Sequence, residues 1–456
     1  MHGIPGWRSA KMRCAILSTI LIFSAIVSLL WAASSALFFP SSSLAAEEYT
    51  FDVSETEKKA FQIGGYIEAM PMLFGLDKNA ALYKLNYWYR QPGNIPGQNT
   101  SALQLEGSYE KGISRFYAKT YSYYVNSYPG ETAVTNIFEA HLSLKPSSSL
   151  MVDMGQKTMN WGKGYAWNPA AFLDRPKDPN DPELSRQGYI AASMDYTKSY
   201  PGPLKTFTFT PVLFPVYQGV NSDFGETNHL NAASKFYFLL YDTDIDLMFL
   251  TGGSSTTRYG ADFSRNITPN LEVHGEASLI TNYNKMYINS LGQPFWSQYT
   301  AKNYLLGLRY LSSKDTTCIL EYYRNGTGFN PRELSDYFSF IDRAYDVYTA
   351  TGNPFFMFKA TGYANGPYSR INPGTNYLYL RISQKEPFDI LYFTPAITLI
   401  ANVDDQSFSL APELLYTGVT NLELRFRFFI ITGQRGTDFG ERQNDYRADA
   451  RVRYYF

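Results

Sequence analysis

Three groups of residues in this sequence have types and spacings that can do chemistry. Glu139 and His141 share one face of an alternating segment, and Glu272, His274 and Glu276 repeat the arrangement further along. An imidazole between carboxylates can bind a metal or act as a base, although the commoner use of such a face is hydrogen bonding in a polar interior. Arg425 and Arg427 on one segment, with Arg447, Arg451 and Arg453 on the next, make a basic stripe. Residues 161–169 read W-G-K-G-Y-A-W-N-P. Trp161, Tyr165 and Trp167 supply rigid area, Gly162 and Gly164 permit backbone angles closed to other residues, and Asn168 with Pro169 starts a turn.

That last segment is built to hold a shape rather than to react. It reads as a self-packed cap or a loop folded against a wall, or else as an aromatic constriction touching a sugar-like or aromatic solute. Asp178, Asp181 and Glu183 follow it; they could bind calcium, but their spacing matches no known loop and the prolines disfavour wrapping. No metal and no cofactor is assigned. Beyond the N-terminal segment only His141, His229 and His274 remain, with no G-x-S-x-G elbow and no H-E-x-x-H helix, so the chain is not expected to be an enzyme. Cys318 stands alone once Cys14 leaves with the N-terminus, which excludes an internal disulfide.

The elements that carry these residues follow from composition. Tyr (38), Phe (32) and Trp (6) make 17% of 456 residues, and charged residues make only 18%, against a usual share of about 25%. Forty basic and 41 acidic side chains nearly cancel, so nothing marks a nucleic-acid partner. Beyond the N-terminus no apolar run approaches the roughly 20 residues a membrane helix needs. Residues 1–45 read as a secretory signal: Arg8, Lys11 and Arg13 precede an apolar stretch, and Ser43-Leu44-Ala45 offers small residues for cleavage. Residues 46–60 then form a periplasmic segment ahead of one domain, 61–456.

That domain is written in period two. Phe456, Tyr454, Val452, Ala450, Ala448 and Tyr446 lie on one face of the last segment, with Arg453, Arg451, Asp449 and Arg447 opposite. Eighteen candidate strands, from 79–90 to 446–456, are longer than the mean soluble strand, and many begin or end in Tyr, Phe or Trp. The apolar segment 61–72 either merges with a redrawn 79–90 or lies inside the barrel. Short polar turns alternate with longer segments at 160–186, 215–233, 282–299, 326–374 and 433–445. The predicted fold is all-β, a transmembrane antiparallel up-and-down barrel of about 18 strands (16–18), the edge-free sheet that a bilayer tolerates. Segment 326–374 should also hold a short helix, with Asn330 as cap, Pro331 in its first turn, and Leu334, Phe338, Ile341 and Tyr345 at helical spacing. It is expected to fold inward and narrow the lumen, with an external lid as the alternative.

Two resemblances add to this. The terminal Phe456, with Tyr454 and Val452 at alternate positions, resembles the insertion signal of Gram-negative outer-membrane barrels. The stretch 137–215 resembles poorly characterised barrels of the porin-like, alginate-export type, in its strand Ile137–Leu144, its W-G…N-P loop and its acidic-proline segment 178–183. These resemblances imply the outer membrane of a Gram-negative bacterium, with lipid, lipopolysaccharide and the barrel-insertion machinery as partners. They name no solute.

Charge parity points Arg115, Lys119, Glu139, His141, Glu272, His274, Glu276 and Arg381 inward together with the five C-terminal arginines, because charges are costly on a lipid face. Opposed acidic and basic stripes would set up a transverse field that sorts polar solutes, or would pair across strands and stiffen the wall. The expected function is a channel passing small polar or anionic solutes, or an exported oligomer, by passive diffusion. The alternative is a structural or partner-holding outer-membrane barrel, for example a sheath around another exported protein. A homo-oligomer fits either. An inward loop would favour the pore, and a wide unobstructed lumen the sheath.

Overall fold

The computed structural model describes residues 60–456 apart from 91, 94 and 129. The signal-peptide and periplasmic readings for 1–59 lie outside the described residues. Strands form because alternate residues meet two different environments, and each pairs with its sequence neighbour. The first six are β1 Phe61–Leu76, β2 Gly97–Lys111, β3 Ser114–Ser127, β4 Gly130–Ser147, β5 Leu150–Lys157 and β6 Tyr189–Ser199. The next six are β7 Leu204–Val216, β8 His229–Leu240, β9 Thr243–Thr251, β10 Arg258–Thr268, β11 Leu271–Ile288 and β12 Pro294–Leu311. The circuit ends with β13 Thr316–Arg324, β14 Asn376–Gln384, β15 Phe393–Asn402, β16 Ser407–Val419, β17 Leu422–Thr432 and β18 Asn444–Tyr455.

β1 pairs with both β2 and β18, so the 18-stranded antiparallel sheet closes on itself and leaves no edge. Phe456 completes the seam, exchanging backbone hydrogen bonds with Gly65 at 3.1 and 3.2 Å. Phe456, Tyr454 and Val452 are about half exposed on the outside. Ile67, Leu105, Leu213, Leu247 and Leu306 share that outer face around the ring, while Gln104, Ser193, Asp246, Glu321 and Arg425 are buried on the inner one. A one-residue irregularity between Lys119 and Thr120 in the β3–β4 ladder lets Ile137 face out and still puts Glu139 inside.

The two ends of the barrel differ. At the end where β1 begins and β18 finishes, the connections are brief, such as 112–113, 241–242 and 420–421; the opposite end carries 77–96, 158–188 and 325–375. Two expectations are corrected here. Segment 79–90 is not a strand: Ala81–Tyr87 is a helix, α1, and the strand in question is β1, formed by the apolar segment at 61. A remote acceptor makes the difference, because the Ala81 N–H donates to Glu441 Oε2 at 2.6 Å and the Leu82 N–H to Glu441 O. Segment 282–299 is not a loop either. β11 and β12 continue through it as a tall hairpin with a turn at 289–293.

Segment 325–375 contains two helices, α2 Pro331–Thr351 and α3 Phe355–Ala364. The start of α2 is set by a reciprocal cap. Asn330 Oδ1 accepts from the Glu333 N–H and Glu333 Oε2 from the Asn330 N–H, each at 2.9 Å. Gly352 ends it at φ 71°, a conformation glycine adopts without strain. Leu334, Phe338 and Ile341 are buried, but not inside the barrel wall. They pack with Ala81 and Leu85 of α1 and Ile288 at the top of β11. Lys84 binds Asp342 at 2.6 Å and Lys285 binds Glu333 at 2.6 Å. Because β1–β2 and β11–β12 stand on opposite sides of the ring, these helices cross the mouth as a lid rather than folding inward.

Replacing Asn330 by Ala removes one half of the reciprocal cap, a loss of about 1 kcal/mol. Amide exchange across the first turn of α2 should accelerate about fivefold while the barrel strands keep their protection.

Candidate functional site

The inside of the barrel is organised by the connection between β5 and β6, residues 158–188. Its large apolar residues draw it inward. Trp161, Phe172 and Leu173 are buried against Val212, Phe214, Ala233, Met248 and Leu250 from β7–β9, while Trp167 packs with Leu305, Ile319, Tyr377, Tyr379 and Ile400 from β12–β15. Those wall residues point into the lumen and are apolar, which breaks the polar-inside pattern where the loop docks.

Polar contacts fix its register. Glu276 on β11 accepts the N–H groups of Lys163 and Gly164 at 2.6 Å, the Asn168 amide at 2.9 Å and the Ala170 N–H at 3.1 Å. Glu321 on β13 accepts the Tyr165 N–H and, at 2.9 Å, the Ala166 N–H. Successive backbone donors thus wrap two wall carboxylates, a concavity suited to anions. Gly162 sits at φ 87°, and a Cβ there would lie 2.7 Å from Glu276 Oε1; one on Gly164 would lie 2.0 Å from the Trp167 carbonyl. The W-G-K-G motif is therefore the fastening of an inward loop. Asp174 secures the entry to the loop, accepting from the Met159, Asn160 and Trp161 N–H groups.

His274 does not act with its own strand neighbour Glu276. Its ring crosses β12 at Gly307, where a Cβ would lie 2.1 Å from Nε2, and reaches Glu321 Oε1 at 2.9 Å. Glu272 stands 3.6 Å from the other ring nitrogen and bonds Ser264. Glu139 faces Lys119 at 3.5 Å, His141 lies against the Tyr117 ring, and Arg115 lies over the same tyrosine.

The far end of the loop meets the basic wall. Asp181 binds Arg425 directly and lies 3.5 Å from Arg427 and 3.3 Å from Arg451. Each remaining arginine also has a carboxylate: Arg447 meets Asp449 at 3.3 Å, Arg453 meets Glu68 at 2.6 Å and Arg381 meets Glu413 at 2.7 Å. The five C-terminal arginines are thus inside and adjacent, but paired. Burial pushes the Asp181 carboxyl up, and the guanidiniums of Arg425, Arg427 and Arg451 outweigh it, holding it below the ordinary carboxylate range.

The loop bridges the lumen without filling it. One cavity of about 410 Å³ opens between Lys157, Trp161, Ser193, Thr210, Lys235 and Tyr237, and a second of about 330 Å³ between Lys119, Glu139, Asn160, Lys177 and Arg186. Sequence reasoning placed Trp161–Asn168 and the wall charges separately. It missed that Glu276, Glu321 and Asp181 join them, because nothing local marks which carboxylate receives a distant N–H.

Comparison with known proteins adds little beyond this. No family model and no curated protein matches the chain. Solved structures of mutant forms of the Rhodopseudomonas blastica porin are similar over 87% of this chain and 100% of theirs. A triple mutant gives a TM-score of 0.44 at 10% identity, and a second triple mutant 0.43 at 9%. The likeness is distant, and the closed barrel rests on its own strand pairing.

Two outcomes follow. Glu276→Ala leaves buried N–H groups without an acceptor, at about 1–3 kcal/mol each; protease cleavage within 175–186 should appear while the barrel stays intact. For Asp181 the folded value is depressed, so its stabilisation is present above the unfolded value of about 3.9 and is lost as pH falls through the folded one. Cleavage of the wild-type loop should therefore stay flat from neutral pH to about pH 4 and rise only in stronger acid.

Proposed function

We propose that this protein is a passive diffusion channel for small polar or anionic solutes in the outer membrane of a Gram-negative bacterium. A closed sheet with an apolar outer face satisfies every backbone group internally and can sit in lipid, and aromatic residues such as Tyr109, Tyr259, Tyr310 and Tyr454 on that face suit the headgroup zones. Bilayer lipid, lipopolysaccharide and the insertion machinery are its proposed partners.

The observation that carries the reading is the bridging loop. A sheath for a partner protein needs a clear lumen, whereas a solute pore needs a constriction. Segment 158–188 constricts the barrel and leaves polar cavities beside it. An exported oligomer would have to pass the same constriction and the helical lid in extended form. In this reading Arg425 and Arg427 of β17 and Arg451 of β18 hold the loop tip and are buried beneath it, so a passing anion reaches that wall only by competing with the acidic tip.

Single-channel recording of the refolded chain in a planar bilayer tests this. Discrete small conductance steps are expected, and Asp181→Asn should enlarge or destabilise them by roughly twofold, since pore size and lining charge set conduction. A folded, inserted barrel that carries no current would sink the channel reading and leave a plugged or partner-holding barrel.

A further inference from the structure

Most buried carboxylates inside this barrel have donors, as Glu276, Glu321 and Asp174 illustrate. Asp262 of β10 does not share that provision, and Asp246 of β9 shares it at one oxygen only. They stand directly opposite one another in the β9–β10 register and are 1% and 3% exposed. Asp246 Oδ1 and both oxygens of Asp262 have no hydrogen-bond partner. Buried polar atoms in that state are rare and call for a ligand, an ion or water.

The surrounding charges do not balance. Lys163 of the inner loop takes Asp246 Oδ2 at 3.0 Å, and Lys235 of β8 stops 3.9 Å from Asp246 Oδ1. Asp244, two residues along β9, receives the Tyr237 hydroxyl, a neutral donor. Glu276 of β11 is satisfied by the loop amides. Three aspartates, with the Glu276 carboxylate opposite Asp262 in the β10–β11 register, therefore face two ammonium groups, and a surplus negative charge in a buried site is costly.

We propose that Asp246 and Asp262 together hold a hard divalent cation of the calcium type beneath the inner loop. The free donors are all carboxylate oxygens, which suit such an ion. Among the described residues no set of three or more His, Cys, Asp or Glu encloses a metal, so the two aspartates supply the protein ligands and water supplies the rest. The 410 Å³ cavity reaches Lys235 and Tyr237 beside the pair and can deliver that water. The site does not depend on whether the barrel conducts.

Terbium titration of the whole folded protein in detergent tests it, because Tyr237 stands opposite Asp246 in the β8–β9 register and can sensitise terbium emission, with Trp161 lining the adjoining cavity. Saturable emission displaced by calcium is expected, with affinity at least about tenfold weaker in Asp262→Asn, since carboxylate charge sets affinity at such sites. Asp262→Ser serves if the first variant fails to fold, and Asp178→Asn on the loop should bind as the wild type does. Absence of emission, emission that calcium does not displace, or equal affinity in the Asp262 variants would each overturn the site; the first of these would leave a proton shared between the two aspartates as the neutralising charge.

Discussion

Backbone N–H groups meeting wall carboxylates hold the interior of this barrel in place. Glu276 and Glu321 are almost fully buried, and an isolated carboxylate at such a depth is strongly unfavourable. The loop removes that penalty by presenting its own donors, and in the same step satisfies amides that would otherwise be buried without partners. Each side solves the other's problem, which is why an irregular 31-residue connection can lie inside a sheet instead of out in solvent. The apolar contacts of Trp161 and Trp167 add area, but they fix no register; the carboxylates do.

The loop is itself polarised across the lumen. Its early amides face the acidic wall of β11 and β13, and its acidic tip faces the basic wall of β17 and β18. A transverse field can order a mobile solute, and here it first orders the protein's own segment. Arg425, Arg427 and Arg451 consequently anchor Asp181 and are themselves buried by it. Above this layer the lid of α1, α2 and α3 covers the mouth through a separate apolar cluster. The two layers meet at a hydrogen bond, from the Trp167 indole N–H of the loop to Asn372 Oδ1 of the lid segment at 3.3 Å.

Much of this was legible beforehand because a barrel strand is a local statement. Whether Arg451 points in or out depends on the parity of its neighbours Val452 and Ala450, and parity needs no knowledge of the partner strand. The cap of α2 was legible for the same reason, since Asn330, Pro331 and Glu333 act within four residues. Failures occurred where a distant group decided. Residues 79–90 carry apolar side chains that serve a strand or a helix equally, and Glu441 from the β17–β18 connection selects the helix. The direction in which 325–375 folds was likewise undetermined, because an amphipathic helix states only that it needs an apolar partner, not which one.

By itself, then, the sequence determined an all-β chain of long alternating segments, their inner and outer faces, and a glycine-spaced aromatic loop shaped for close backbone approach. Those properties follow from covalent spacing and from the two environments every strand must separate. Tertiary structure alone decided that the loop enters the lumen, that Glu276 and Glu321 receive it, that His274 passes Gly307 to reach Glu321, and that the arginine stripe is paired. The fastening contacts join distant residues, 47 positions apart for His274 and Glu321, 112 for Gly164 and Glu276, 244 for Arg425 and Asp181 and 385 for Arg453 and Glu68, and are made only when closure of the ring brings their strands together.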